Sequence, residues 1–223
     1  MEAVMGDRTS AGRPRARLSR ERVVSAGVGL ADRDGLGALT MRSLADELGV
    51  RPMALYRHVA HKEELLDALV DAVFDEIVLM TPGEEWRDEL TRRCRSMRAA
   101  LGRHSWSLAL METRSSPGPA TLEHHENVLE VLRTAGFSVP ATAHAYAVVD
   151  AFVYGFALQE AELAAAGLGE AEQTLSGIPL EKAPRMAELA QEHVLAPGYD
   201  FGDSFEVGLT IVLDGLERLR HEL

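Results

Sequence analysis

With only one cysteine, Cys94, the sequence can build neither an internal disulfide nor a cysteine-based zinc cluster. That usage fits a reducing compartment. Aromatic residues make up only 5 % of the chain. Val, Ile and Phe are sparse beside Ala, Leu, Glu and Arg, which favours helix over sheet. No apolar run is long enough to span a bilayer. The longest, residues 143–158, is 16 residues and contains His144 and Asp150, where a span needs roughly 18–20 apolar residues. The N-terminus lacks the apolar stretch of a signal peptide, so a cytoplasmic protein is expected. Also absent are the Glu-x-x-His pair of di-iron bundles, HExxH, GxSxG, the P-loop and GxGxxG. No enzyme, cofactor or metal site is expected.

Positive charge is short overall but not everywhere. The net charge of −12 argues against a polyanionic partner for the chain as a whole. Residues 1–62, however, hold ten arginines and one lysine against seven carboxylates, whereas residues 63–223 hold 12 basic against 28 acidic side chains. Such asymmetry suggests a small domain that meets a polyanion and a larger one that does not. The chain's 223 residues, 46 % apolar and 26 % charged, suit that division of an ordinary globular protein. The expected organisation is a flexible basic arm over 1–18 (Arg8, Arg13, Arg15, Arg17), a small basic unit over 19–62, and a larger domain over 63–223.

Helical periodicity runs through the rest. Ser19 caps a first helix with Val23, Val24, Ala26, Leu30 and Ala31 on one face, and Asp32–Gly37 stops it. Thr40 caps a second helix over 41–48, and Gly49 ends it as a left-handed residue. Pro52 opens a third over 52–58, and His61 reads as the cap of a fourth. Apolar pairs from Leu65/Leu66 to Ile77/Val78 give the fourth helix a continuous stripe, broken by Thr81-Pro82-Gly83. Further helices are expected at 84–102, 105–113, 119–135, 140–166, 181–194 and 203–221, with a weakly patterned stretch over 167–184. The fold class is all-α.

Two short helices around a Gly turn form a helix-turn-helix by spacing. Leu44, Leu48, Val50, Leu55 and Val59 would face inward. Arg51, Met53, Ala54, Arg57 and His58 would face outward, with Tyr56 alongside. Small and basic groups suit a helix lying in a major groove about 12 Å wide between phosphates.

The stretch GLGALTMRSLADELGVRPMALYRHVAHKEELLDAL closely resembles the DNA-binding domain of the tetracycline-repressor (TetR) family of bacterial regulators. Two weaker stretches, ETRSSPGP…ENVLEVLRTAGFS at 112–138 and FEVGLTIVLDGLERL at 205–219, resemble the ligand domain of the tetracycline-type branch. The resemblance covers about residues 19–221. It implies that Thr40 and Arg42 meet phosphates and a base, Arg42 through a guanine edge. It implies that Arg51, Pro52, Met53 and Ala54 open the base-reading helix, Pro52 and Met53 touching thymine methyls. Tyr56, His58 and Lys62 would meet the backbone, Lys62 at a helix N-terminus, and Arg57 is a further DNA-facing candidate on the same helix as Tyr56 and His58.

Residues 143–158 are apolar nearly all round, and Phe205, Leu209, Val212, Leu216 and Leu219 form a stripe widened by Val207, Ile211 and Leu213. Helices at about 140–166 and 203–221 are therefore expected to pack on a second subunit, making a homodimer that reads double-stranded operator DNA at half-sites about 34–36 Å apart. A small-molecule inducer is the expected second partner. Its candidate contacts are Met97, His104, Trp106 and Met111, with Asn127, Tyr146, Phe152 and Glu160. The family's tetracycline-contacting histidine on the fourth helix is replaced near Val78, and the histidine that helps hold the drug's magnesium is replaced by Leu110, although Thr113 is kept. No magnesium-chelate site is expected. The alternative is a helical interaction or redox-sensing module without specific DNA binding. It draws on Cys94 among arginines, which would lower a thiol pKa. The run Glu123-His124-His125-Glu126 reads as a solvated helix face, because adjacent helical residues point about 100° apart.

Overall fold

Ser19 starts the first helix, α1 (Arg20–Asp34), by accepting a hydrogen bond from the Arg22 amide at 3.3 Å. The structure, a computed structural model, describes residues 17–111, 113, 116–166 and 182–222. The basic arm up to residue 16 and the stretch 167–181 lie outside the described residues. All regular elements among the described residues are helices.

Thr40 caps α2 (Met41–Leu48) reciprocally with Ser43. The Ser43 amide donates to Thr40 Oγ1 at 3.0 Å, and the Thr40 amide donates to Ser43 Oγ at 2.9 Å. Gly49 ends α2 at φ 64°, ψ 35°, the left-handed conformation in which a side chain would be strained. After it, α3 (Pro52–Leu55) is shorter than the spacing suggests. Helical geometry gives way after Leu55 to a turn through His58, whose amide donates to the Leu55 carbonyl at 2.8 Å. His61 caps α4 (Lys62–Phe74) by accepting from the Glu64 amide at 3.1 Å. Leu44, Leu55 and Val59 are buried beside Val23, Leu30, Leu65 and Leu69, so these helices share one small core.

The stripe that ends at Ile77/Val78 outlasts α4. The Ile77 amide reaches the Phe74 carbonyl at 2.9 Å in a tightened final turn, and the chain then runs irregularly to α5 (Trp86–Arg103). Asn127 pins this connection from afar: its side chain accepts from the Met80 amide at 2.7 Å and donates to the Met80 carbonyl at 2.9 Å. A 3₁₀ turn (Ser105–Ser107) and α6 (Leu108–Met111) replace the single helix expected at 105–113. Then come α7 (Pro119–Thr134), α8 (Val139–Ala166), α9 (Pro184–Leu189), which widens into a π turn (Ala190–Val194), and α10 (Asp203–Glu222).

In length and average hydropathy α8 could cross a bilayer. Here it is a core helix, with Ala141, Ala145, Val149, Val153 and Ala157 buried. It packs on α5, α7 and α10. Two ion pairs fasten α10 to α5: Arg87 to Asp214 (2.5 Å) and Arg95 to Glu206 (2.6 Å).

Candidate functional site

At the helix-turn-helix end, Arg42, Arg51, Pro52, Tyr56, Arg57 and Lys62 are exposed, and Met53 is the most open of the large apolar residues at 75 % exposure. Thr40 is exposed, while Ala54 and His58 are half-buried. Among the described residues, no carboxylate pairs with Arg42, Arg51, Arg57 or Lys62. The arginines of α5 are different. Arg87, Arg92, Arg93, Arg95, Arg98 and Arg103 each meet a carboxylate within 3.2 Å. The helix-turn-helix surface thus keeps its cations free, whereas those of α5 are committed to carboxylates.

That surface is braced from within. Arg20 donates to the His58 carbonyl at 2.8 Å and to Glu64 Oε1 at 2.6 Å. Glu64 Oε2 accepts from the Ala60 amide at 2.6 Å. The Ala60 amide and Arg20 hold the Glu64 carboxyl below the usual carboxylate range. The turn between α3 and α4 is fixed while its outward side chains stay free.

The far half of α4 is gripped by the larger domain. Asp71 Oδ1 accepts from the Thr121 amide (2.8 Å) and hydroxyl (3.0 Å), so α4 caps the N-terminus of α7. The approach is close: a Cβ built on Gly118 would lie 2.3 Å from Asp71 Cγ. Phe74 contacts the His124 and His125 rings at 6.0 and 5.9 Å. Just past α4, Glu76 accepts from Arg103 at 2.5 Å and meets His104 Nε2 at 3.0 Å. The other His104 nitrogen faces Asp32 Oδ1 of α1 at 2.7 Å, and the Trp106 indole donates to the same oxygen at 2.6 Å. Arg103 and His104 keep the Glu76 carboxyl below its usual range. A cavity of about 830 Å³ opens beside this junction, lined by Ala31, Asp32, Trp106, Met111, Tyr154 and Leu158 among others.

The residues expected to hold a ligand are not brought to one place. Trp106 and Met111 border the junction cavity. His104 is held between two carboxylates, and both ends of the Asn127 amide are engaged by Met80. Met97 is fully enclosed in the core. Phe152 stacks on Phe205 at 5.3 Å, and Glu160 pairs with Arg98 at 2.5 Å. Tyr146 packs edge-on against His125 at 5.6 Å.

Beside Tyr146 lies a polar cluster that the sequence reading misses. Arg93 is 0 % exposed, and its Nη1 donates to Asp150 Oδ1 at 3.2 Å. Its Nε and Nη2, together with His124 Nδ1, are buried without a hydrogen-bond partner. His124 is buried and His125 half-buried, so the solvated face read from their run is corrected: only the flanking Glu123 and Glu126 face water. Arg93 shares the inward phase of α5 with Leu90, Met97 and Leu101, and Asp150 interrupts an apolar helix. Opposite charges on two apolar faces were the available signal. Burial pushes the Tyr146 hydroxyl pKa up, with the Asp150 charge adding to the effect.

Cys94 is also corrected. It is buried, and desolvation pushes its thiol up to about 12 despite Arg93 nearby, which runs against a reactive thiolate. Burial lowers the pKa of His124 and His125 below the usual 6.5. Below about pH 6.5 the unfolded chain therefore binds more protons, and stability falls as pH falls. Cys94 acts at the other end. Above its usual 9.0 only the unfolded chain ionises, so stability falls as pH rises. Urea midpoints are expected to peak between about pH 7 and 9. An unchanged midpoint from pH 7.5 to 5.5 would contradict neutral, buried histidines.

Known proteins match across this architecture. The family model "Bacterial regulatory proteins, tetR family" matches residues 23–69, and "Tetracyclin repressor-like, C-terminal domain" matches residues 80–220. The HTH-type transcriptional repressor DrrR1 of Streptomyces coeruleorubidus is 38 % identical over 96 % of this chain and 82 % of its own. The tetracycline repressor protein class A from transposon 1721 of Escherichia coli is 32 % identical, over 92 % of this chain and 93 % of its own. Among solved structures, Streptomyces coelicolor ActR in complex with actinorhodin superposes with a TM-score of 0.77 at 29 % identity, covering 93 % of this chain and 100 % of that one. The two family matches together span residues 23–220 apart from a short gap, and the chain belongs to the tetracycline-repressor family of ligand-responsive, DNA-binding transcriptional regulators.

Proposed function

We propose that the chain is a homodimeric cytoplasmic repressor that leaves a palindromic operator when a small molecule enters its C-terminal domain. The observation that carries the DNA side is the set of exposed, unpaired cations Arg42, Arg51, Arg57 and Lys62 around the helix-turn-helix. Arg42 and the start of α3, Arg51 to Ala54, read bases. Thr40, Tyr56, Arg57, His58 and Lys62 hold phosphates. The test is selection of bound fragments from a random duplex library at about physiological salt. A palindrome with half-sites one turn apart is expected, and no enrichment by a folded dimer would refute the operator reading. Arg42→Ala should then cost about 1–3 kcal/mol and relax one base position, whereas Lys62→Ala should weaken all sequences alike and flatten the salt slope. Exchanged outcomes would reverse the two assignments.

Two exposed surfaces support the dimer: Val207 and Ile211 on α10, and Val148 and Leu158 on α8. Together they suit a four-helix interface between two copies. For the ligand side, α4 is the transmitting element. Its first residue, Lys62, is exposed beside the helix-turn-helix, and its far end is bound to the larger domain by Asp71 and Phe74 and, just past it, by Glu76. A ligand releases DNA only by favouring the conformer in which this grip is altered; tight binding to both conformers shifts nothing. The effector site is the buried cluster of Arg93, His124, Tyr146 and Asp150. Phe74 of α4 packs on its histidines, so displacement there reaches α4 directly.

Tetracycline chemistry does not fit. Leu110 is buried and Val78 is apolar, so neither offers an atom to the drug or its magnesium. Isothermal titration is expected to show no magnesium-dependent tetracycline binding.

A further inference from the structure

Arg93 carries chemistry that its structural pairing leaves unused. The guanidinium is fully enclosed, and Asp150 engages it through Nη1 alone, at 3.2 Å. Nε and Nη2 have no acceptor. These two nitrogens form one side of the planar guanidinium, and their N–H bonds run parallel. That fork matches two coplanar oxygens and is the geometry of bidentate carboxylate recognition. Buried donors on a charged group are costly to leave unpaired, each by more than a neutral donor would be. His124 Nδ1 is a third buried polar atom without a partner, and the Arg93 charge acts on both His124 and His125. Around the cluster stand flat groups: Phe74 against both histidines, and His125 edge-on to Tyr146.

We infer that the effector is an aromatic acid whose carboxylate, or an equivalent ionised pair of coplanar oxygens, seats on the Nε–Nη2 edge of Arg93. Resting on the reading that this cluster is the effector site, the inference adds the ligand's chemical class. Asp150 holds the guanidinium from its Nη1 side and leaves the fork edge to the ligand. Phe74, His125 and Tyr146 pack on one another beside the cluster, and an aromatic body would enter by parting these rings and stacking among them.

The test uses the full chain and matched probes: 2-naphthoate and anthracene-9-carboxylate, each beside its primary amide. Binding is read by isothermal titration, and release by displacement of the selected operator fragment. The acids are expected to bind at least about tenfold more tightly than the amides and to release the operator. Arg93→Lys keeps the charge but loses the fork and should abolish the preference. The comparison of acid with amide in the unaltered chain does not depend on that variant folding. Acids and amides that bind or release DNA equally would overturn the fork and leave the effector site standing. Failure of every probe to bind would also overturn it. Acids that bind through Arg93 without releasing DNA would confirm the fork and refute the effector reading.

Discussion

Asp150→Leu is expected to lower the stability of the chain by about 3–5 kcal/mol, a drop in Tm on the order of 10 °C. Arg93 is 0 % exposed, and Asp150 is the carboxylate that answers its charge. Removing the carboxylate strands a guanidinium inside the packing of α5 on α8, the most extensive helix contact among the described residues. The loss comes from the uncompensated charge rather than from the worth of the ion pair. Removing both charges should therefore recover most of it. In the double variant Arg93→Met with Asp150→Asn, the asparagine keeps an acceptor beside Tyr146. Denaturant unfolding of the single and double variants decides the matter. A single variant within 1 kcal/mol of the parent would mean that water already solvates Arg93.

The same ion pair marks what sequence can and cannot show. Local chemistry was legible. Ser19, Thr40, Gly49 and His61 terminate helices where their side chains and conformations dictate, because a cap involves residues within one turn. The basic character of the N-terminal part was legible for a similar reason, since its composition contrasts with an acidic chain, and Arg42, Arg51, Arg57 and Lys62 are exposed there. Long-range pairings were not. Arg93 and Asp150 are 57 residues apart, and Asp71 caps a helix 50 residues downstream. No local pattern tells a carboxylate on α4 that its partner is the start of α7. His124 and His125 were misread because charged neighbours make a helix face look wet, although helical phase alone allows the histidines to turn inward between them. Residue type alone does not separate ligand contacts from fasteners, and the fold uses several of the candidate types as fasteners. Asn127 and His104 bind parts of the chain to each other, a role that an amide or an imidazole fills as readily as ligand contact.

Ile211→Asp together with Val207→Asp should convert the dimer to a monomer and reduce operator affinity about 10²–10⁴-fold. Both side chains lie on the outer face of α10, Val207 at 62 % and Ile211 at 65 % exposure, while Phe205, Leu209, Leu213 and Leu216 fill the inner face. Both side chains are mostly exposed within the subunit, so helicity should hold and the urea midpoint should change little. Across a twofold interface every substitution is introduced twice, and each aspartate would be buried unpaired against the partner's apolar surface, which opposes association. The lost DNA affinity follows from linkage. In a dimer, binding of one reading head holds the second near its half-site at high effective concentration, an advantage that a monomer lacks. The salt dependence should change with it. A single head neutralises half the phosphates, so the slope of log affinity against log salt should fall to about half. Sedimentation velocity and titration of the selected operator at several salt concentrations read both effects. A variant that stays dimeric and binds as the parent does would move the interface off α10. A monomer that keeps full affinity and the full slope would show that each subunit reads its DNA alone.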